Sequence, residues 1–214
     1  MRSIIDGVPS NLFAVTTRAL NVVLGADPTQ ERRSICLMCA RADDHKQAIV
    51  TLLVGGEANR GILSGLFGED LAWDVHCIRY ASLKLAYLIA NPDAVTSFEG
   101  ANPDEDLYGG GLRIKNKKLF IVPSGLSAEG DLVVGLLVVI MIGEINTTEA
   151  REVAENVSAE CLALFDDTVV EIEDSIPEFS CPICRCPNTT HHKTGNDSSY
   201  LVCNECGHYA AWRS

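Results

Sequence analysis

Leu132-Val133-Val134-Gly135-Leu136-Leu137-Val138-Val139-Ile140-Met141-Ile142 is the most apolar run of the chain, and it lies between Asp131 and Glu144. How this run folds decides the architecture around it. It falls well short of the roughly 20 residues that a membrane helix needs, and it reads as a buried strand. Just upstream, Leu112 to Lys115 and Lys118 to Val122 flank Asn116-Lys117 in the manner of a tight hairpin, and Pro123-Ser124-Gly125 separates that hairpin from the run. Three sequential strands are therefore expected here.

Working outward towards the start, Pro92 to Gly111 is rich in Asn, Pro, Asp, Glu and Gly without periodicity, which predicts an exposed acidic loop. Before it, Leu71, Val75, Ile78, Leu85 and Leu88 recur at turn-like spacing and predict a long helix over Asp70 to Ala90, stopped by Asn91-Pro92. Ser34 to Ala40 and Ala48 to Val54 are β-prone runs joined by a polar turn, a hairpin signal closed by Gly55-Gly56. Ser10 and Gly25 bracket a further apolar-periodic segment, predicted as a helix from Asn11 to Leu24.

Towards the end, Asn146 and Thr147 open a helix with Glu149 in its first turn. Ala150, Val153, Val157, Cys161 and Leu164 draw one stripe along it to about Asp166-Asp167. Val169 to Ile172 is a candidate edge strand. The expected organisation is an α+β domain over 1–168, a linker over 169–178 and a small module over 179–214. Short hairpin connections cannot make parallel pairs, so the sheet should be mostly antiparallel with helices packed against it.

With 214 residues and 47% hydrophobic content the chain can bury a full core. Its formal charge is -12, so long-range electrostatics repel phosphate backbones and anionic lipid. After Pro177 the charges balance, with Glu178, Asp197 and Glu205 against Arg185, Lys193 and Arg213, which leaves a nucleic-acid contact open only locally in that module. The first residues carry no signal-peptide pattern, so a cytoplasmic protein with reduced thiols is expected, and no membrane partner.

Cys181-Pro182-Ile183-Cys184 and Cys203-Asn204-Glu205-Cys206 have the spacing at which two turn-borne cysteine pairs fold back onto one tetrahedral site. Gly207 after the second pair permits the backbone turn of such a knuckle. These four thiolates are the candidate ligands of one structural zinc ion in a zinc ribbon. Iron takes the same ligand set, and Cys186, His191, His192 and His208 lie close enough to substitute. With four ligands filled, no position remains for water, and the metal supports folding rather than hydrolysis. Tyr200, Tyr209 and Trp212 are expected to pack the ribbon's strands rather than stack on bases.

Other constellations carry less. Cys36 and Cys39 form a second C-x-x-C, but residues three apart on a strand point to opposite faces, so core packing is expected. Ser64 in Gly61-Ile62-Leu63-Ser64-Gly65 does not make a hydrolase elbow, and Gly61, Gly65 and Gly68 lack the flanks of a dinucleotide site. Asp104-Glu105-Asp106 is expected to be a solvated loop. No acid, base and nucleophile set emerges from spacing, so no catalytic residue is assigned.

The element order is similar to the profilin-like group of folds, which includes roadblock and longin domains. Ala81-Ser82-Leu83-Lys84-Leu85-Ala86, Pro123-Ser124-Gly125-Leu126 and Gly130-Asp131-Leu132-Val133-Val134-Gly135 resemble the GlcG/HbpS-like family over about residues 75 to 165. Where that family ends in Gly-x-Ser-Gly, this chain has Met141-Ile142-Gly143-Glu144. The resemblance implies small-ligand or haem binding, for which His45 and His76 are the imidazoles of the first domain. Three readings follow: a noncatalytic zinc-ribbon protein that mediates protein association or self-association; a small-ligand binder of the GlcG/HbpS-like type; and a nucleic-acid-associated subunit acting through the ribbon.

Overall fold

The computed structural model describes residues 12–30, 32–43, 46–55, 70–114, 119–173, 189–194, 198–203 and 209–213. In chain order these form α1 (Leu12–Ala26), β1 (Ser34–Asp43), β2 (Lys46–Gly55), α2 (Asp70–Ala90), β3 (Leu112–Ile114), β4 (Leu119–Ser124), α3 (Ala128–Met141), α4 (Thr147–Val157) and α5 (Ala159–Glu173). Three more strands follow: β5 (Thr189–Thr194), β6 (Ser198–Cys203) and β7 (Tyr209–Arg213). The first nine elements make an α+β unit around a four-stranded antiparallel sheet of order β2-β1-β4-β3.

The apolar run is the body of helix α3, not the third strand expected from sequence. Ser127 caps it, its hydroxyl accepting the Gly130 N–H at 3.0 Å, and Glu129 and Asp131 occupy the first turn, where the helix dipole favours acids. Every residue from Gly130 to Met141 is buried, because the helix lies on β4 and is enclosed by α1, α4 and α5. A helix buried on all sides has no polar stripe, so its sequence loses the 3.6-residue period that would distinguish it from a strand. Length was the surviving signal. Eleven extended residues would span about 36 Å, far beyond the six-residue β4 on which the run packs.

Three further expectations are corrected. Val169 to Ile172 is helical: Cys161, Phe165, Val169 and Ile172 form the buried stripe of α5, which continues to Glu173, past the expected boundary at 168. The single helix expected from Asn146 to Asp167 is two. Ser158 turns extended (φ -164°, ψ 161°), and its hydroxyl accepts the Cys161 N–H at 3.0 Å to start α5. The segment from Pro92 to Gly111 is also built rather than loose. It holds 3-10 turns at Ser97–Gly100 and Pro103–Glu105, and it is tied to β3 by Ser97 N–H to Gly111 O at 2.9 Å and Arg113 N–H to Val95 O at 2.8 Å. Gly109 to Gly111 are buried, while Pro103 to Glu105 are exposed as expected.

Side-chain alternation on the sheet separates two cores. Ile35, Leu37, Cys39 and Ile121 face α1, α3 and α5, whereas Cys36, Met38, Ala40, Phe120 and Val122 face α2 through Cys77, Ala81, Leu85 and Leu88. Cys36 and Cys39 therefore sit on opposite faces, as their spacing predicts. Among the described residues no helix is long and apolar enough to cross a membrane.

Candidate functional site

Helix α2 turns its buried stripe of Cys77, Ala81, Lys84, Leu85 and Leu88 to the sheet. One member of that stripe is a lysine. Lys84 is 3% exposed, and its Nζ donates to Asp131 Oδ2 at 2.7 Å and to the Pro123 carbonyl at 3.0 Å. Asp131 reaches this point from the first turn of α3 and is 1% exposed. Its other oxygen accepts the Leu126 N–H at 2.9 Å, and the Gly125 amide also donates to the carboxylate. Burial pushes the Asp131 carboxyl above the usual carboxylate range; the Lys84 charge, then the Lys84 hydrogen bond and the two backbone amides, act against that rise. The pair thus joins α2 to α3 across the end of β4.

Glycines make room for it. Gly110 has φ +102°, and a Cβ there would lie 2.7 Å from Asp131 Cβ and 2.8 Å from the Ala128 carbonyl oxygen. Gly125 has φ +151°, and a Cβ there would lie 2.5 Å from the Ser34 carbonyl oxygen. Both positions combine a left-handed backbone with close approach, which only glycine accepts without strain.

A cavity of about 560 Å3 opens beside this pair, walled by Arg32, Cys77, Tyr80, Lys84, Tyr108 and Asp131, with the 124–128 turn and Asp27 to Gln30 completing it. The α1–β1 connection is stitched to the α3 cap. Gln30 Oε1 accepts the Ser127 N–H at 2.9 Å, and Gln30 Nε2 donates to Asp27 Oδ2 at 2.6 Å and to Ser127 Oγ at 3.1 Å. Asp27 Oδ1 accepts both the Thr29 hydroxyl at 2.5 Å and the Thr29 N–H at 3.0 Å. The Thr29 hydroxyl first, then the Gln30 amide, hold the Asp27 carboxyl below its ordinary range. At the rim the Tyr80 and Tyr108 rings meet edge to face at 5.0 Å, and Arg79 pairs with Asp106 at 3.1 Å, joining the strap that carries Tyr108 to α2.

Cys77 is the thiol of the cavity wall. Burial pushes it up to about 11, against the pull of Arg32, whose Nη1 lies 4.0 Å from the sulfur. It is a protonated thiol at neutral pH, not a nucleophile.

The residues singled out from sequence fall differently. His76 stacks on Tyr80 at 6.2 Å from the exposed side of α2, and it is Cys77, Tyr80 and Lys84 that line the cavity. Asp106 of the acidic run is engaged by Arg79. His45, Gly61, Ser64, Gly65 and Gly68 lie outside the described residues, as do Cys181, Cys184, Cys186, Cys206 and His208. His191 and His192 are on β5, and Cys203 ends β6 opposite Thr189. Among the described residues, no group of three or more His, Cys, Asp or Glu is placed to hold a metal ion.

Sequence reasoning missed the Lys84–Asp131 pair, although a signal existed. Lys84 follows Cys77 and Ala81 and precedes Leu88 at core phase, and a lysine there must be buried with a partner. Compared with protein-family models, curated proteins and solved structures, the chain finds no match.

Proposed function

We propose that the protein is a noncatalytic binder of a small polar ligand, built on a profilin-like α+β domain and carrying a structural zinc ribbon towards its C-terminal side. One observation carries the ligand half: a cavity of about 560 Å3 with a buried, hydrogen-bonded cation–carboxylate pair in its wall. That volume lies in the range of small-molecule sites. Two charges taken out of water are costly for a core that apolar residues would fill as well, so a buried pair that lines a cavity argues for use. The polar wall and the outward position of His76 favour a polar ligand over haem. The central β1, flanked by its hairpin partner and by β4, supports the profilin-like reading with one strand fewer than expected.

The ribbon rests on strand order. β5, β6 and β7 form one antiparallel sheet in which the start of β5 pairs with the end of β6, Thr189 opposite Cys203, and Val202 pairs with Tyr209 at the start of β7. Cys203 closes β6 at the end of the sheet where β5 begins, and the two C-x-x-C pairs have the sequence spacing of one four-thiolate site. Bound there, a zinc ion supplies folding free energy to a module too small to hold a core by itself.

Native mass spectrometry of the purified full chain tests both halves. One zinc per chain is expected, falling to none in Cys203→Ser, together with retained small-molecule mass or, failing that, amide NMR shifts at Leu126 to Ala128 on adding a mixed set of small polar ligands. A metal-free chain would remove the ribbon. Unmoved amides across the whole set would remove the ligand reading.

A further inference from the structure

One side of the cavity is held differently from the rest. Lys84 and Asp131 are buried and bonded to each other, whereas Tyr108 reaches the wall from the tip of the strap between α2 and β3. That tip is closed on itself: Asn102 N–H donates to Leu107 O at 2.8 Å, Leu107 N–H returns to Asn102 O at 3.0 Å, and Glu105 N–H donates to Asn102 O at 3.0 Å. A segment that satisfies its own backbone keeps its shape when it moves. The chain leaves the tip through Gly109-Gly110-Gly111, and Gly110 stands at φ +102°, a conformation open to glycine and suited to a hinge. The base of the strap is pinned instead, by Ser97 N–H to Gly111 O at 2.9 Å and Arg113 N–H to Val95 O at 2.8 Å.

Two side-chain contacts tie the tip to α2 among the described residues. Arg79 Nη2 donates to Asp106 Oδ2 at 3.1 Å, and the Tyr108 ring meets Tyr80 edge to face at 5.0 Å. The ion pair is 54% and 45% exposed, so water screens it and salt weakens it. Asp106 also stands at φ +60°, the one non-glycine residue with positive φ among the described residues. Such backbone costs energy for any residue with a side chain, and it clusters where a segment switches or clamps. Here it places a carboxylate against Arg79 two residues before the tyrosine that walls the cavity. A weak, screened tie on a self-contained tip is what a latch requires: enough to favour closure, too little to prevent opening.

We infer that residues 102–108 form a gate over the cavity, closed by the Arg79–Asp106 latch and the Tyr80–Tyr108 contact and swinging about Gly109–Gly110 to admit a ligand. The gate takes its purpose from the small-ligand reading, on which it rests, but its motion is measured without a ligand. Cys77, 1% exposed in the cavity wall, is the reporter, and Cys161, buried in the opposite core, reports opening of the whole fold. Iodoacetamide at one fixed pH, followed by peptide mass mapping of the full-length protein, reads both rates. Asp106→Asn removes the charge while keeping a residue that tolerates left-handed backbone, and Asp106 is not among the groups that set the ionisation of Cys77. Cys77 should react roughly two- to fivefold faster in Asp106→Asn than in the wild type, the factor an exposed ion pair carries, with Cys161 unmoved. High salt should bring the wild type towards the same rate. A Cys77 rate unchanged in Asp106→Asn, or rising in step with Cys161, would overturn the gate and leave the ligand reading to the mixed-ligand experiment above. A wild-type rate indifferent to salt would overturn the latch without any substitution.

Discussion

Lys84 and Asp131 show what a single residue pair can demand of a fold. Each is nearly water-free, and their side chains meet at 2.7 Å. Removing one charge strands the other, at a cost of about 3–5 kcal/mol. Lys84→Met should therefore lower unfolding stability by about that amount in urea titrations, and Lys84→Met combined with Asp131→Asn should regain much of the loss, because the neutral amide still accepts the Leu126 N–H. Additive losses in the double variant would show that the two residues act independently. By contrast, the Arg151–Asp166 pair has both hydrogen bonds at 2.9 Å, yet its side chains are 48% and 42% exposed. Solvent screening leaves such a pair little weight in stability. Geometry is alike in the two cases, and burial decides the weight.

Among the elements, the start of α4 is legible in the sequence and the body of α3 is not. Asn146 accepts the Glu149 N–H at 2.9 Å while Glu149 accepts the Asn146 N–H at 2.9 Å, the reciprocal cap that the sequence announces before α4. Asn146→Ala should cost about 1 kcal/mol, measured as a lowered denaturation midpoint, with the largest gain in amide exchange at the start of α4. The body of α3 illustrates the opposite case. Its period vanished because β4, α1, α4 and α5 enclose it, whereas α2, with solvent along one side, kept a period that could be read. Ser127 caps α3 and Glu129 sits in its first turn, a helix start that the strand reading of the apolar run did not take up.

At the scale of the whole molecule, two core thiols make the fold sensitive to base. Burial pushes Cys77 up to about 11 and Cys161 up to about 12, from an ordinary value of 9.0. Between those values the folded chain keeps protons that the unfolded chain releases, so stability falls as pH rises. The contribution is complete below pH 9.0 and drains away as pH climbs through about 11 and about 12. Thermal midpoints followed upward from pH 9.0 should decline, and Cys161→Ala should flatten the slope even though it lowers the midpoint itself; an unchanged slope would place the effect elsewhere. Local signals alone determined the β1–β2 hairpin, the opposed faces of Cys36 and Cys39 and the long helix α2, because turn chemistry, side-chain alternation and helical periodicity act between near neighbours. Only the tertiary structure decided that the apolar run is a helix, that the strap from Pro92 to Gly111 is tied to β3, and that Lys84 and Asp131 meet. Those outcomes depend on which surfaces enclose a segment, and enclosure is a property of residues distant in the chain.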